Sequence, residues 1–237
     1  MDSLESGQES AGSMEEVTEL VATAGLMFTL STSIVSCLES KVADPKLLVP
    51  IPIFIILLLF LIVTLPISGG HMSPIITFIA ALKGAITFAR AAVYVLAQCV
   101  GSIIGFAVVK IVMGQEAAQR FSLGGCVVDA TGSQGLSPEV ALTLEFSCTF
   151  VFLFISITVA FDEKRCKELG LNLVCVMLAG VAAVVMFISI VITGEPGYAG
   201  VGLNPARCLG PAILHGGPLW NGHWVFWDEV EVLAAYR

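Results

Sequence analysis

The chain has 237 residues, 57% of them hydrophobic and only 13% charged, with a net charge of −8. Soluble domains carry about a quarter charged residues, so this composition excludes a water-covered globule. It points to the bilayer as solvent, with one membrane domain accounting for the whole length.

The first residues concentrate negative charge. Asp2, Glu5, Glu9 and Glu15 alternate with serines and meet no Lys or Arg. Residues 1–15 therefore read as a disordered acidic tail. No basic segment precedes a short apolar core with a cleavage site, so a removed signal peptide is not expected.

Five apolar segments follow, each long enough to span at about 20 residues: 17–38, 47–67, 91–113, 139–161 and 171–193. Two shorter apolar stretches interleave with them. Met72–Leu82 follows Ser68-Gly69-Gly70, and Leu203–Leu214 follows a glycine-rich approach. Each opens with one device, Ser73-Pro74 or Asn204-Pro205, which sets a capping residue before a proline at the first helical position. Both predict short helices that start inside the membrane.

The two halves of the chain repeat. Glu19 opens the first span and precedes Ser73 by 54 residues; Glu145 lies in the fourth and precedes Asn204 by 59. Repeat 1 covers about 16–113 and repeat 2 about 138–227. An odd number of spans per half inverts the second repeat, and inverted repeats with broken helices place a site at the bilayer midplane. The predicted fold class is an all-α membrane protein, with transmembrane helices plus two re-entrant half-helices. Lys83 and Arg90 in one loop, and Lys164, Arg165 and Lys167 in another, give a small positive-inside bias that puts the N-terminus in the cytoplasm.

Two helix N-termini meeting from opposite sides focus positive potential on a narrow path. Solutes with lone pairs accept hydrogen bonds there, and cations are repelled. Asn204 caps its helix and offers an amide donor; Ser73 caps with a hydroxyl. Arg207, two residues past Pro205, is costly in an apolar region and marks function. Glu19 and Glu145 read as structural carboxylates that accept backbone N–H groups of the re-entrant loops. A proton-relay role is the weaker alternative.

The seven cysteines, Cys37, Cys99, Cys126, Cys148, Cys166, Cys175 and Cys208, form no CxxC pair, so zinc and redox motifs are unsupported. Most read as small buried hydrophobes. Cys126 falls in a loop on the extracytoplasmic side, where a cystine link between protomers is one expected outcome. No nucleophile–base or metal-ligand cluster is visible, so neither catalysis, a cofactor nor a metal is expected, and no basic patch suggests nucleic acid.

These motifs resemble a known family. Ser68-Gly69-Gly70-His71-Met72-Ser73-Pro74-Ile75 is similar to the first Asn-Pro-Ala box of aquaporins, with Ser for Asn and Ile for Ala. Gly202-Leu203-Asn204-Pro205-Ala206-Arg207 matches the second box. Cys208 after that arginine, and Leu123-Gly124-Gly125-Cys126, resemble the X-intrinsic protein subfamily of plants and fungi. The resemblance covers about residues 15–227 and implies an aquaporin-like channel domain over 16–227. It also implies a homotetramer or heterotetramer with one pore per protomer in the plasma membrane. An outer constriction is implied at Ile53, Ile192, Val201 and Arg207. The implied solutes are glycerol, urea, boric acid and hydrogen peroxide, with poor water conduction.

His223-Trp224-Val225-Phe226-Trp227 resembles the start of a sixth span, but Asp228, Glu229 and Glu231 follow, so residues 228–237 read as a divergent acidic C-terminus and the sixth helix as truncated. A non-conducting isoform that modulates full-length subunits is therefore an alternative expectation. A secondary transporter is a further one, disfavoured because no mid-span acid besides Glu19 and Glu145 is available for a coupling ion.

Overall fold

The computed structural model describes residues 2–40, 42, 44–126, 137–193, 200–216 and 219–220, with side chains from Gly12 onward except at 45, 46, 138 and 191–193. Among the described residues all regular structure is helical. Long helices α1 (Asp2–Glu39) and α2 (Pro50–Ser68) precede a short α3 (Pro74–Leu82) and a long α4 (Phe88–Val112). A short α5 (Gln115–Arg120) and a 3₁₀ turn (Ser122–Gly124) lead toward the second half. There α6 (Pro138–Ala160), a short α7 (Glu163–Leu169) and α8 (Leu171–Thr193) are followed by α9 (Pro205–His215). Five of these, α1, α2, α4, α6 and α8, contain stretches long and apolar enough to cross a membrane. The half-helices are α3 and α9. The expected sixth span and acidic C-terminus lie outside the described residues.

The sequence-based expectation of a disordered tail over residues 1–15 is corrected here. α1 is helical from Asp2, continuous with the first span. Once a span has nucleated a helix, extending it costs little, and Glu is a good helix former. Glu15 is also held: it pairs with Arg90 and accepts a hydrogen bond from the Tyr94 hydroxyl at 2.6 Å, both on α4.

The bundle carries its apolar side chains outward and its polar ones inward. Leu59, Leu96, Ile111 and Phe154 are exposed, whereas Glu19, Thr77, Gln98, Glu145 and Arg207 are buried. That pattern is stable in lipid, where the apolar surface meets its own solvent and the polar groups satisfy one another. Hydroxyls within the spans bond to the carbonyl one turn back, as Thr64 does to Phe60 at 2.7 Å and Ser156 to Phe152 at 2.7 Å.

Close helix crossings rest on missing side chains. α1 packs most extensively on α4, and α2 on α8. A Cβ at Gly101 would collide with the Leu20 carbonyl, and one at Gly105 with the Ala24 carbonyl. The four-residue spacing puts both glycines on one face of α4, so the backbones of α1 and α4 meet directly. Gly210 in α9 approaches Ser102 and Phe106 of α4 in the same way.

Candidate functional site

The site is built by two matched turns. α2 ends at Gly69, with φ of 86°, whose N–H bonds back to the Leu65 carbonyl at 3.2 Å. The chain then folds through Gly70 and Met72, at φ of 61° and 47°, before α3 begins. In the second half the chain passes Gly200, at φ of 88°, and Leu203, at φ of 55°, before α9. Met72 and Leu203 occupy equivalent places, directly before Ser73 and Asn204. Both are non-glycine residues held in the left-handed region, a cost tolerated where surrounding contacts impose it and characteristic of functional sites.

Those contacts come from one buried carboxylate per half. Glu19 on α1 accepts from the backbone N–H of His71 at 3.1 Å and of Met72 at 2.7 Å, and from the Ser68 hydroxyl at 2.6 Å. Glu145 on α6 accepts from the N–H of Gly202 with both oxygens, at 3.0 and 2.9 Å. Each carboxylate thus shapes the turn that launches a half-helix. Ser189 on α8 supports the second turn by accepting from Val201 N–H at 3.0 Å.

The two half-helix starts differ in chemistry. Asn204 Oδ1 accepts from Ala206 N–H at 3.1 Å and Arg207 N–H at 3.4 Å, a complete side-chain cap. Its Nδ2 donates to the Met72 carbonyl at 2.7 Å, which joins the start of α9 to the turn before α3. Ser73 stands at the N-cap of α3 with extended backbone, and its carbonyl accepts from Thr77 N–H at 3.0 Å. Its hydroxyl, however, makes no cap bond and has no partner among the described residues. The expected hydroxyl cap at Ser73 is therefore corrected: Ser73 holds the N-cap position, but its hydroxyl does not cap α3. Beyond the caps, Pro74, Ile75, Pro205 and Ala206 are all buried.

A cavity of about 140 Å³ runs past both starts, lined by Ser73, Leu203, Asn204 and Arg207 together with apolar side chains such as Leu57 and Leu178. Ile53 also lines it. Val201 does not: its side chain is buried among Cys148, Val181 and Val185. That corrects its expected place in the constriction, because a branched apolar side chain beside an apolar cluster gains more by packing there. The side chain of Ile192 lies outside the described residues.

One cavity-lining residue and its support were not anticipated from the sequence. His71 lines the cavity, and its Nδ1 lies 3.1 Å from Thr77 Oγ1. Gln98 on α4 donates through Nε2 to both Glu19 Oε2 and Thr77 Oγ1, each at 2.8 Å. The reversed amide would set an oxygen against the carboxylate, so this orientation is fixed. Thr77 Oγ1 thus accepts from Gln98 and lies against His71 Nδ1. Glu19 is thus linked to the His71 ring through Gln98 and Thr77. The signal in the sequence was a polar Gln98 inside an apolar span, which is costly unless it bonds.

Arg207 is 4% exposed and is held from the loop after α5. Its Nη2 donates to the Gly124 carbonyl at 3.3 Å and its Nη1 to Cys126 Sγ at 3.4 Å. Cys126 forms a disulfide with Cys208, 82 residues away. The expected link between protomers is thereby corrected: Cys126 is used within its own chain, because the fold brings its loop onto the first turn of α9. The other five cysteines are not disulfide-bonded, and Cys148 and Cys175 are buried.

Fold and site together define a multi-pass helical membrane protein in which two half-helices from an internal repeat meet beside a narrow cavity. Residues 7–229 match the family model for the major intrinsic proteins, and the chain belongs to that family, the aquaporin superfamily. It is 30% identical over 175 residues to a probable aquaporin PIP2-8 of Oryza sativa subsp. japonica, covering 72% of this chain and 59% of that one. It is 33% identical over 161 residues to aquaporin TIP1-2 of Zea mays, covering 68% and 56%. The chain thus spans less than two thirds of the length of these relatives. The fold matches an aquaglyceroporin from Plasmodium falciparum with a TM-score of 0.71 at 19% identity, over 92% of this chain and 89% of that one.

Proposed function

We propose that the chain forms a passive transmembrane pore for small uncharged solutes. The observation that carries this reading is the 2.7 Å bond from Asn204 Nδ2 to the Met72 carbonyl, which holds two half-helix starts together beside one cavity. Positive helix ends and the Arg207 guanidinium repel cations there and donate to oxygen or nitrogen lone pairs. Relatives named aquaporins, and a fold neighbour titled an aquaglyceroporin, support the same reading.

The finer reading is selectivity for glycerol, urea, hydrogen peroxide or boric acid over water. It is supported by the apolar side chains, Ile53 among them, that line the cavity with Arg207. Such walls offer few hydrogen bonds to replace those that water loses on entry, and suit less polar solutes. The LGGC and second-box cysteines support placement in the X-intrinsic subfamily. A tetramer in the plasma membrane follows from the same resemblance.

Purified protein in vesicles tests the reading, with water, urea, glycerol and peroxide permeabilities measured by light scattering and dye reduction. The expected result is flux linear in the gradient and indifferent to proton or sodium gradients. Saturable flux that follows an ion gradient would identify a transporter instead.

A further inference from the structure

α9 supplies the backbone of Arg207, and two bonds to its guanidinium come from Gly124 and Cys126, in the turn after α5. That turn is built for close approach. Leu123 and Gly124 both lie at positive φ, 58° and 67°. A Cβ at Gly124 would sit 3.1 Å from the Ser31 carbonyl, and one at Gly125 would sit 2.7 Å from Pro211. The turn is thus wedged between α1 and α9 with no room for a side chain at Gly124 or Gly125, and its Leu123 is fully buried. One covalent bond, from Cys126 to Cys208, fastens it to the residue that directly follows Arg207.

We propose that the 122–126 turn, closed by the Cys126–Cys208 disulfide, positions Arg207 and thereby tunes which solutes the pore passes. This rests on the channel reading above. A carbonyl and a sulfur, both tied to the neighbouring residue through the disulfide, restrict the rotamers open to this long side chain. The guanidinium is then pre-oriented toward the cavity, so that a permeant meets donors in a fixed place. Opening the disulfide leaves the half-helix and its cap intact but lets the Gly124 carbonyl and Cys126 drift from Arg207. Selectivity changes before the fold does. Cys126 and Cys208 are positioning residues here and make no claim on the permeant themselves.

The test uses the full chain in vesicles, with urea, glycerol and water permeabilities read side by side. Two independent arms open the bond. In one, an added phosphine reduces wild-type protein: its electron pair cleaves the sulfur–sulfur bond to two thiols, and it leaves as the phosphine oxide with oxygen from water. Alkylation and mass measurement count the thiols. In the other, the bond is absent in the double variant Cys126→Ser, Cys208→Ser. The expected result is a urea-to-water permeability ratio that shifts by roughly two- to tenfold, the change that one net hydrogen bond makes. Reoxidation of the reduced protein should restore it, and water flux should persist throughout. An unchanged ratio in protein shown to carry the two extra thiols, or in a double variant that still conducts water, overturns the proposal. A double variant that does not fold leaves the reduction arm decisive, and a bond that resists reduction leaves the variant decisive. Wild-type protein that carries no solute at all overturns the channel reading, and this inference falls with it.

Discussion

Asn204 donates its side-chain amide to the carbonyl of Met72 at 2.7 Å, across 132 residues of sequence and from one half of the chain to the other. The same side chain caps α9 through two backbone N–H groups. A single amide therefore fixes where both half-helices begin. Replacing it by alanine removes a cap, typically about 1 kcal/mol, and an inter-half hydrogen bond of about 1 kcal/mol. Asn204→Ala is expected to lose about 2 kcal/mol in all. Thermal or denaturant unfolding in detergent measures it.

Ser73 is expected to behave oppositely. Its hydroxyl bonds to nothing among the described residues, so deleting it removes a buried polar group without breaking a contact. Ser73→Ala should leave stability unchanged or slightly raised. Thr87→Ala is the matched comparison, because Thr87 does cap α4, accepting from Arg90 N–H at 3.2 Å. That variant should lose about 1 kcal/mol. Equal losses in the two would show that Ser73 caps its helix after all.

Gln98 joins Glu19 to Thr77 and, through Thr77, to His71. Gln98→Met keeps the volume and removes both donors. Hydrogen bonds to a charged group carry the higher share of stability, so a loss of about 2 kcal/mol is expected. Gln98→Glu, which sets a second carboxylate against Glu19, should be worse. Unfolding midpoints of the two variants in the same detergent check the order.

Gly101 faces the backbone of α1 with no space for a methyl group. Gly101→Ala must push α1 from α4 and should cost about 1–3 kcal/mol, as overpacking does. Gly114, with open space around it, is the control and should tolerate alanine. Size-exclusion profiles after mild heating distinguish the two.

Ile53 lines the cavity together with Arg207. Ile53→His adds ring nitrogens that can replace hydrogen bonds lost by entering water. The urea-to-water permeability ratio should fall. A ratio that does not move would place Ile53 outside the selective part of the path.

Much of this architecture is readable in the chain because it rests on local chemistry. The spans follow from runs of apolar residues, and the structure places them at Pro50–Ser68, Phe88–Val112 and Glu139–Ala160 among others, within a few residues of the reading. The half-helices announce themselves because a capping residue, a proline and a preceding glycine cluster act within one turn. Glu19 and Glu145 were legible as acceptors because a carboxylate in hydrocarbon must find donors, and the re-entrant loops are rich in unpaired N–H groups.

What tertiary structure alone decided concerns groups whose partners are distant in sequence or equally near in space. Seven cysteines give no hint that Cys126 meets Cys208; only the wedging of the 122–126 turn against Ser31 and Pro211 brings them together. Val201 was free by sequence to face the path or the core, and the neighbouring Val181 and Val185 decided for the core. Asn204 and Ser73 carry equal capping credentials, yet one caps and the other does not, because a rotamer is chosen by its surroundings. Periodicity and caps act over a few residues and so are written along the chain. The orientation of Arg207, the contact of His71 with Thr77 and the Cys126–Cys208 bond each depend on groups from separate elements, and the chain specifies them only once it is folded.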